Sequence, residues 1–579
     1  MSDTFAEVEV VIFPEGLRFS CPKGVRLYEA IARSGLQLTT PCGGRGTCGK
    51  CYVRVAMAVN SFSKNLMALQ KSPPLQQVLA CQYVVNESVA VWLPEPSLHS
   101  DDMQIVVSHA TFESEDNDNI PLTVDMLLGR NTSTETHQNN RYGVAVDIGT
   151  TTIAVELLSI PTHCDAISIV RLGVVSGRNP QSKYGDDVIS RIQYASESPE
   201  HLKQLREKIV DAINVLIGEL ARKGNISLRQ IDLIALAGNT TMQQLFAGLD
   251  VQSLGYSPFL PAMKSYPVAQ AADYGLAIAP NGIALVFPVI GGFVGGDIVA
   301  GIIALQMRSQ NAPTLLIDIG TNGEIVLWKP AGSSLSSGGI LLTAATAAGP
   351  AFEGARIQHG MIAAPGAIEH VTLDDELHIE TIGNRRPRGI CGSGLIDLVA
   401  ELVRIGAIAV SGKLLSGDKL PECVPLAIRP RFVEIDGRLA FIVVPQNESD
   451  TGSDILLTQH DIRQVQLAAG AIRAGVTLLL NKAGIKPNDL VAIDLAGGFG
   501  NYIRRENAKQ IGLLPPEIPT ERIRFCGNTS LAGVKAVLLN ANRYREMQAV
   551  ANNAECVDLS TFPEFATVFA ESMLFPGQK

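Results

Sequence analysis

Four cysteines, Cys42, Cys48, Cys51 and Cys81, are spaced to hold an iron–sulfur cluster. Three lie within Cys42-Gly-Gly-Arg-Gly-Thr-Cys48-Gly-Lys-Cys51, and the fourth follows thirty residues later. Five residues separate the first two cysteines, one more than in the plant-type 2Fe-2S loop, and two separate Cys48 from Cys51. Glycines interleave these cysteines, so the backbone can wrap closely and turn its amides towards sulfur. A structural zinc site usually pairs its cysteines, and only Cys48 and Cys51 form such a pair. A disulfide framework is out of place in so long a chain without a secretory signal. The same stretch also spells most of a P-loop from Gly44 to Lys50, but Cys51 stands where the magnesium-binding Ser or Thr belongs. That reading is discarded.

A second chemistry is written twice. Tyr142-Gly-Val-Ala-Val-Asp147-Ile-Gly149-Thr150-Thr151-Thr152 is an apolar strand ending in an acidic, hydroxyl-rich turn, with a second apolar strand leaving it. Backbone amides and hydroxyls in such a turn suit phosphate oxygens, and Asp147 suits a magnesium ion held through water. The design recurs at Asp318-Ile-Gly320-Thr321-Asn322-Gly323-Glu324, again between apolar strands. One acidic turn alone is weak evidence, because such turns are common. Two in register predict paired phosphate loops. A third element, Asp494-Leu-Ala-Gly497-Gly498-Phe-Gly500, ends an apolar strand in glycines that allow close approach to a flat ring or ribose; a plain strand-to-helix turn has the same look.

The elements that must position these residues are legible around them. Residues 7–13 and 17–21 predict a hairpin, 27–34 a short helix, and 52–55 and 89–93 further strands. Cys21 falls in a strand and is expected to be a packed thiol. Residues 202–222 carry an apolar stripe at helical spacing, preceded by Ser198-Pro199 and followed by Gly224. Between the two chemistries, residues 96–141 hold an acidic run at 113–118 and a polar tract at 131–141. This composition predicts a loosely packed linker, with a short strand at 104–107.

Length and composition set outer bounds. At 579 residues the chain exceeds a single core and calls for several domains. A net charge of −10 leaves no basic surplus for phosphate backbones, so nucleic acid is excluded as a general partner. The most apolar stretch, 282–305, is broken by Pro288, glycines and Asp297, and predicts strand, turn and helix rather than a membrane span. The first residues lack a signal-peptide pattern, and the six remaining cysteines are unpaired in spacing; both point to the cytoplasm.

The order of hairpin, helix, cysteine loop and strands resembles a β-grasp ferredoxin of the adrenodoxin-like variety over residues 1–95. Residues 142–579 resemble the actin, sugar-kinase and heat-shock-chaperone ATPase superfamily. That resemblance implies two ribonuclease-H-like lobes, 142–312 and 313–579, closing on ATP and Mg2+, so the fold class is α/β multidomain. It places Asp147, Gly149, Thr150, Thr151 and Thr152 on the first phosphate loop. Asp318, Gly320, Thr321, Asn322, Gly323 and Glu324 fall on the second, and Gly497, Gly498 and Gly500 beside the adenosine.

The combination resembles the ATP-dependent reductive activators of corrinoid proteins, supported by the strings Leu236-Ala-Gly-Asn-Thr-Thr-Met242, Gly291-Gly-Phe-Val-Gly-Gly-Asp297, Ala347-Ala-Gly-Pro-Ala-Phe-Glu353-Gly-Ala355 and Cys391-Gly-Ser-Gly394. The resemblance implies reduction of inactive Co(II) to Co(I) in a corrinoid protein serving a methyltransferase, with a low-potential electron donor upstream and a homodimer as a plausible assembly. Only residues 96–141 intervene before the ATPase, so the long intermediate domain of some members is shortened or absent. Asp147 and Asp318 are the candidates for metal contact; Glu324, Asp297 and Glu353 are candidates for orienting water, each also readable as a cap or turn residue. His359 is expected to be structural. Two alternatives stay open: a small-molecule phosphotransferase fused to a redox sensor, and a binding module whose docking is gated by ATP.

Overall fold

Residues 7–13, 17–33, 38, 46, 51–57, 76–93, 120–130, 141–160, 170–320, 322–331, 339–497 and 503–577 are described, in a computed structural model. The chain divides into two compact units, Met1–Asp102 with Ser182–Arg191, and Met103–Gln181 with Ile192–Lys579.

In the first unit, strands β1 (Glu7–Phe13) and β2 (Leu17–Pro22) form the expected hairpin, and helix α1 (Leu27–Arg33) follows. Strands β3 (Tyr52–Met57), β4 (Gln76–Leu79) and β5 (Val89–Trp92) complete a five-stranded sheet in the order β2-β1-β5-β3-β4. The β1–β5 pairing is parallel, which only a crossover can connect, and α1 lies within that crossover. Alternation along the strands sends Val10, Ile12, Val53, Val55, Val89 and Val91 to one face. They share a core there with Leu27, Ala30 and Ile31 of α1. Cys21 is fully buried in the same core, as expected. The strand expected at 104–107 lies outside the described residues.

The second unit contains the same sheet twice. Strands β6 (Arg141–Ile148), β7 (Thr152–Ile160) and β8 (Val170–Arg178) form an antiparallel meander. Helix α2 (Pro199–Lys223) then leads into β9 (Ile231–Gly238), helix α3 (Thr240–Ala247) and β10 (Ile283–Val286). Strands β9 and β10 add in parallel, giving the order β8-β7-β6-β9-β10 with a two-residue edge strand. Helix α4 (Gly296–Ala304) follows.

The second copy runs β11 (Thr314–Ile319), β12 (Gly323–Lys329) and β13 (Ile340–Thr346), again antiparallel. After helices α5 (Gly392–Arg404) and α6 (Gln459–Ala483), strands β14 (Ala492–Ala496) and β15 (Ile523–Gly527) add in parallel. Helix α7 (Arg505–Gln510) lies between them. The order β13-β12-β11-β14-β15 repeats the five main strands of the first sheet, with a two-residue strand on the opposite edge. Helix α8 (Thr529–Leu539) follows β15 as α4 follows β10.

The inner faces of both sheets meet around these two helices. Ala145, Ala154 and Leu158 from the first sheet and Leu316, Val326 and Trp328 from the second share one core with α4 and α8. The helices cross at glycines: a Cβ on Gly533 would stand 1.9 Å from the Ala300 carbonyl oxygen. A Cβ on Gly301 would stand 3.0 Å from Thr529 Oγ1.

The linker reading of 96–141 needs correction over its described part. Within 120–130, Leu122 is buried in the same core, its N–H donating to Leu538 O, while Ala541 N–H donates to Ile120 O. Val124 and Leu127 also pack there. The polar average of the segment hid one short apolar stripe. No described helix is long and apolar enough to cross a membrane.

Candidate functional site

In the first unit, the ladder between β3 and β4 continues past Tyr52↔Leu79, with Ala80 N–H donating to Cys51 O at 2.9 Å. This bond sets Cys51 and Cys81 at adjoining strand ends. Both are buried among apolar side chains, a setting where thiols need a strong partner to act as thiolates. Gln82 Nε2 donates to Cys81 Sγ at 3.8 Å, the kind of amide contact that steadies a cluster sulfur. Gly46 has φ of +80°, and a Cβ there would sit 2.9 Å from the Gln82 side chain, so this glycine lies beside the residue that follows Cys81. Cys42 and Cys48 lie outside the described residues. Tyr28, whose N–H donates to Ala80 O, has its hydroxyl pKa pushed up to about 12 by burial and the neighbouring Glu29.

In the second unit the two acidic hairpins are built alike. Gly149 N–H donates to Thr152 O and Gly320 N–H donates to Asn322 O, both at 3.0 Å. A Cβ on Gly149 would come within 2.5 Å of that Thr152 oxygen, so the turn requires glycine. Asn179, fully buried at the end of β8, clamps the turn: its Nδ2 donates to Gly149 O at 2.9 Å and its N–H to Thr151 O at 2.8 Å. Asn239 uses both ends of its amide. Its oxygen caps α3 by accepting from Met242 N–H, and its Nδ2 donates to Thr150 Oγ1 at 2.8 Å. The string around Asn239 therefore supports the first turn.

The second turn places its residues differently. Thr321 lies outside the described residues, and the Asn322 side chain bonds to Glu324. A Cβ on Gly323 would stand 2.7 Å from Ile472 of α6, so this glycine lets the strand pack against a helix. Gly497, with φ of +104°, is pressed against this second hairpin: a Cβ there would meet Ile319 O at 2.4 Å and Asp318 Oδ1 at 3.1 Å. Gly498 and Gly500 lie outside the described residues.

Four carboxylates gather where these elements converge. Asp147 and Asp318 end equivalent strands on the inner faces, Glu324 stands opposite Asp318 in the ladder, and Asp297 lies in the first turn of α4. Burial, then Asp147, pushes Asp318 up to about 7. Burial, then Asp318 and Asp147, holds Asp297 well above the usual carboxylate range; burial, then Asp297 and Asp318, does the same for Glu324. Burial also raises Asp147, against hydrogen bonds from Ser530 and Asn528. Three of these side chains are partly exposed by surface and Glu324 is buried, yet protein surrounds each of them. Among the described residues no three His, Cys, Asp or Glu side chains converge as direct ligands of one metal ion.

Sequence reasoning missed several supporting residues. Asn528 and Ser530 contact Asp147 from nearly the other end of the chain. Fully buried Asp397 of α5 accepts from His370 Nδ1 at 3.1 Å, Val371 N–H at 3.2 Å and Asn507 Nδ2 at 2.6 Å, with Arg504 Nε at 3.5 Å. Arg504 and Asn507 open the segment after the Gly497–Gly500 motif, so Asp397 anchors its exit. The Cys391-Gly-Ser-Gly394 string is also packing: a Cβ on Gly392 or Gly394 would lie 2.0 Å from Phe352 O or 2.2 Å from Ile368 O. Glu353 sits in a turn, its N–H donating to Pro350 O, and His359 O accepts from Ile390 N–H.

Comparison with known proteins accords with both units. Residues 10–86 match the family model of the 2Fe-2S iron-sulfur cluster binding domain. Residues 142–310 match that of the RACo middle region, and 312–579 that of the C-terminal ASKHA domain of RACo. The chain is 32% identical to the corrinoid activation enzyme RamQ of Eubacterium limosum, over 94% of this chain and 95% of RamQ. It is 26% identical to the Co(II) methylated amine-specific corrinoid protein reductase of Methanosarcina barkeri, over 71% and 72% of the two chains. A solved reductive activator for corrinoid, iron-sulfur protein superposes with a TM-score of 0.66 at 30% identity, covering 99% of each chain. With a relative matched over nearly its whole length, the chain belongs to the family of corrinoid activation enzymes that includes RamQ.

Proposed function

We propose that this protein is an ATP-dependent reductive activator that returns an inactive Co(II) corrinoid protein to Co(I) for a methyltransferase. The observation that carries the ATP-dependent part is the convergence of Asp147, Asp297, Asp318 and Glu324 between two duplicated hairpins. Like charges packed this closely need a proton or a cation. Mg2+ bound together with the nucleotide would meet that need, and Asp147 and Asp318 would hold it through water. The backbone of residues 149–152 and 320–323 would bind phosphate oxygens, and Gly497, Gly498 and Gly500 would flank the adenosine. Glu324 or Asp297 would orient the attacking water, since phosphoryl transfer depends on positioning and charge rather than covalent help.

Cys42, Cys48, Cys51 and Cys81 would hold the 2Fe-2S cluster, which when bound passes one electron at a time from a low-potential donor to cobalt. Buried Cys51 and Cys81, with the Gln82 amide on the latter, fit that role. For a one-electron transfer, each deficit of about 59 mV costs a factor of ten in equilibrium. Nucleotide binding can offset this only through different affinities for two states of the complex. The test is anaerobic: the reconstituted chain, a reductant and a Co(II) corrinoid protein, with Co(I) followed by absorbance. Co(I) should accumulate with ATP and Mg2+ present and not without them. Equal yields in both arms would sink ATP dependence; no Co(I) in either would sink the activator reading.

A further inference from the structure

The duplication makes a comparison between the two halves possible. By strand order and connectivity, α4 and α8 are equivalent helices, each following the last parallel strand of its sheet. The cap and second residue are Gly295 and Asp297 in α4, and Asn528 and Ser530 in α8. The two ends face different partners. Asp297 feels the charge of Asp318 and, less strongly, of Asp147, a carboxylate among carboxylates. Asn528 Nδ2 donates to Asp147 Oδ2 at 2.7 Å, and Ser530 Oγ donates to Asp147 Oδ1 at 2.8 Å. Each oxygen of Asp147 thus accepts one hydrogen bond from a neutral donor of the other half.

Neutral donors matter because a carboxylate has about four lone-pair sites, so two bonds leave room for more partners. They fix the group in place without cancelling its charge. The same face shows the contrast: Glu156, opposite Ala145 in the ladder, is held by cations, with Arg171 Nε at 3.2 Å and Lys535 Nζ at 3.5 Å. Its charge is answered by cations, whereas among the described residues the partners of Asp147 are neutral donors.

We propose that Asn528 and Ser530 are positioning residues that hold Asp147, across the two halves, in the orientation that receives the magnesium–nucleotide complex. The inference rests on the nucleotide site proposed above and adds the groups that prepare it. Ser530→Ala is the decisive variant, because Asn528 also caps α8 by accepting from Leu531 N–H at 2.7 Å, and its loss would weaken the helix. Calorimetric titration of the full chain with ATP is run across Mg2+ concentrations and in EDTA. Ser530→Ala should raise the Mg2+ concentration for half-maximal binding by about tenfold, as losing a hydrogen bond to a charged group predicts. Binding in EDTA should stay unchanged, and Ser530→Thr should restore the wild-type curve. In an Asp147→Ala background, Ser530→Ala should add nothing further. An unaltered Mg2+ dependence, or an equal loss with and without Mg2+, overturns the positioning role. A wild-type chain that binds no ATP even with Mg2+ overturns the nucleotide site itself.

Discussion

Asp318 and Glu324 stand directly opposite each other across the second hairpin, whereas the equivalent partner of Asp147 in the first is Ala154. Side chains opposite one another share a face of the sheet, and like charges there repel. The second half therefore concentrates negative charge where the first half spaces it out.

This charge makes stability depend on pH in the metal-free, nucleotide-free protein. Asp318 has a folded pKa of about 7, well above its unfolded value. The folded form thus binds the extra proton, and its stabilising effect is full below the ordinary carboxylate range and lost as pH rises through about 7. Urea denaturation from about pH 5 to about pH 8 should show a fall of up to about 3 kcal/mol from this group. Asp318→Asn should flatten that part of the profile, and a profile indifferent to the substitution would count against the burial described.

Gly533→Ala should be strongly destabilising although Ala is the better helix former. The added methyl would strike the Ala300 carbonyl, a backbone atom that cannot turn aside. A loss of about 1–3 kcal/mol is expected from overpacking. Thermal melting of the variant measures it.

Cys81→Ser should remove most of the visible iron–sulfur absorbance after anaerobic reconstitution and leave ATP binding intact. Absorbance and calorimetry on one preparation separate the two effects. Loss of both would mean that the units do not work independently.

Leu122→Ala should cost about 2–4 kcal/mol, as for other buried leucines. A solvated linker would show no change in a denaturation midpoint.

Asp397→Ala should weaken both fold and nucleotide binding. It strips a fully buried acceptor from His370, Asn507 and Arg504, a loss of about 3 kcal/mol or more. Asn507→Ala, which removes one donor, should have a smaller effect on the melt.

The residues legible in the sequence were those whose meaning is local. Hairpins around Asp147 and Asp318, the helix at Pro199–Lys223 and the stripe of α1 follow from alternation, capping and glycine placement over a few residues. Leu122 escaped because one apolar turn was averaged into a polar segment. Asn528, Ser530 and Asp397 escaped for a different reason: their partners are distant in the chain, and nothing in the sequence around a lone Asn or Ser marks the carboxylate it will meet. Gly323 shows the converse limit. A glycine in a phosphate-like turn serves packing against Ile472, and only the three-dimensional neighbour reveals it.

The crossing of α4 and α8 has a mechanical corollary. Where main chain rests on main chain, no cushion of side chains is left to slide, so the helices have little freedom to glide past one another. A slide of either helix along the other would have to part these backbones, so the crossing ties the two sheets together as a rivet ties two plates.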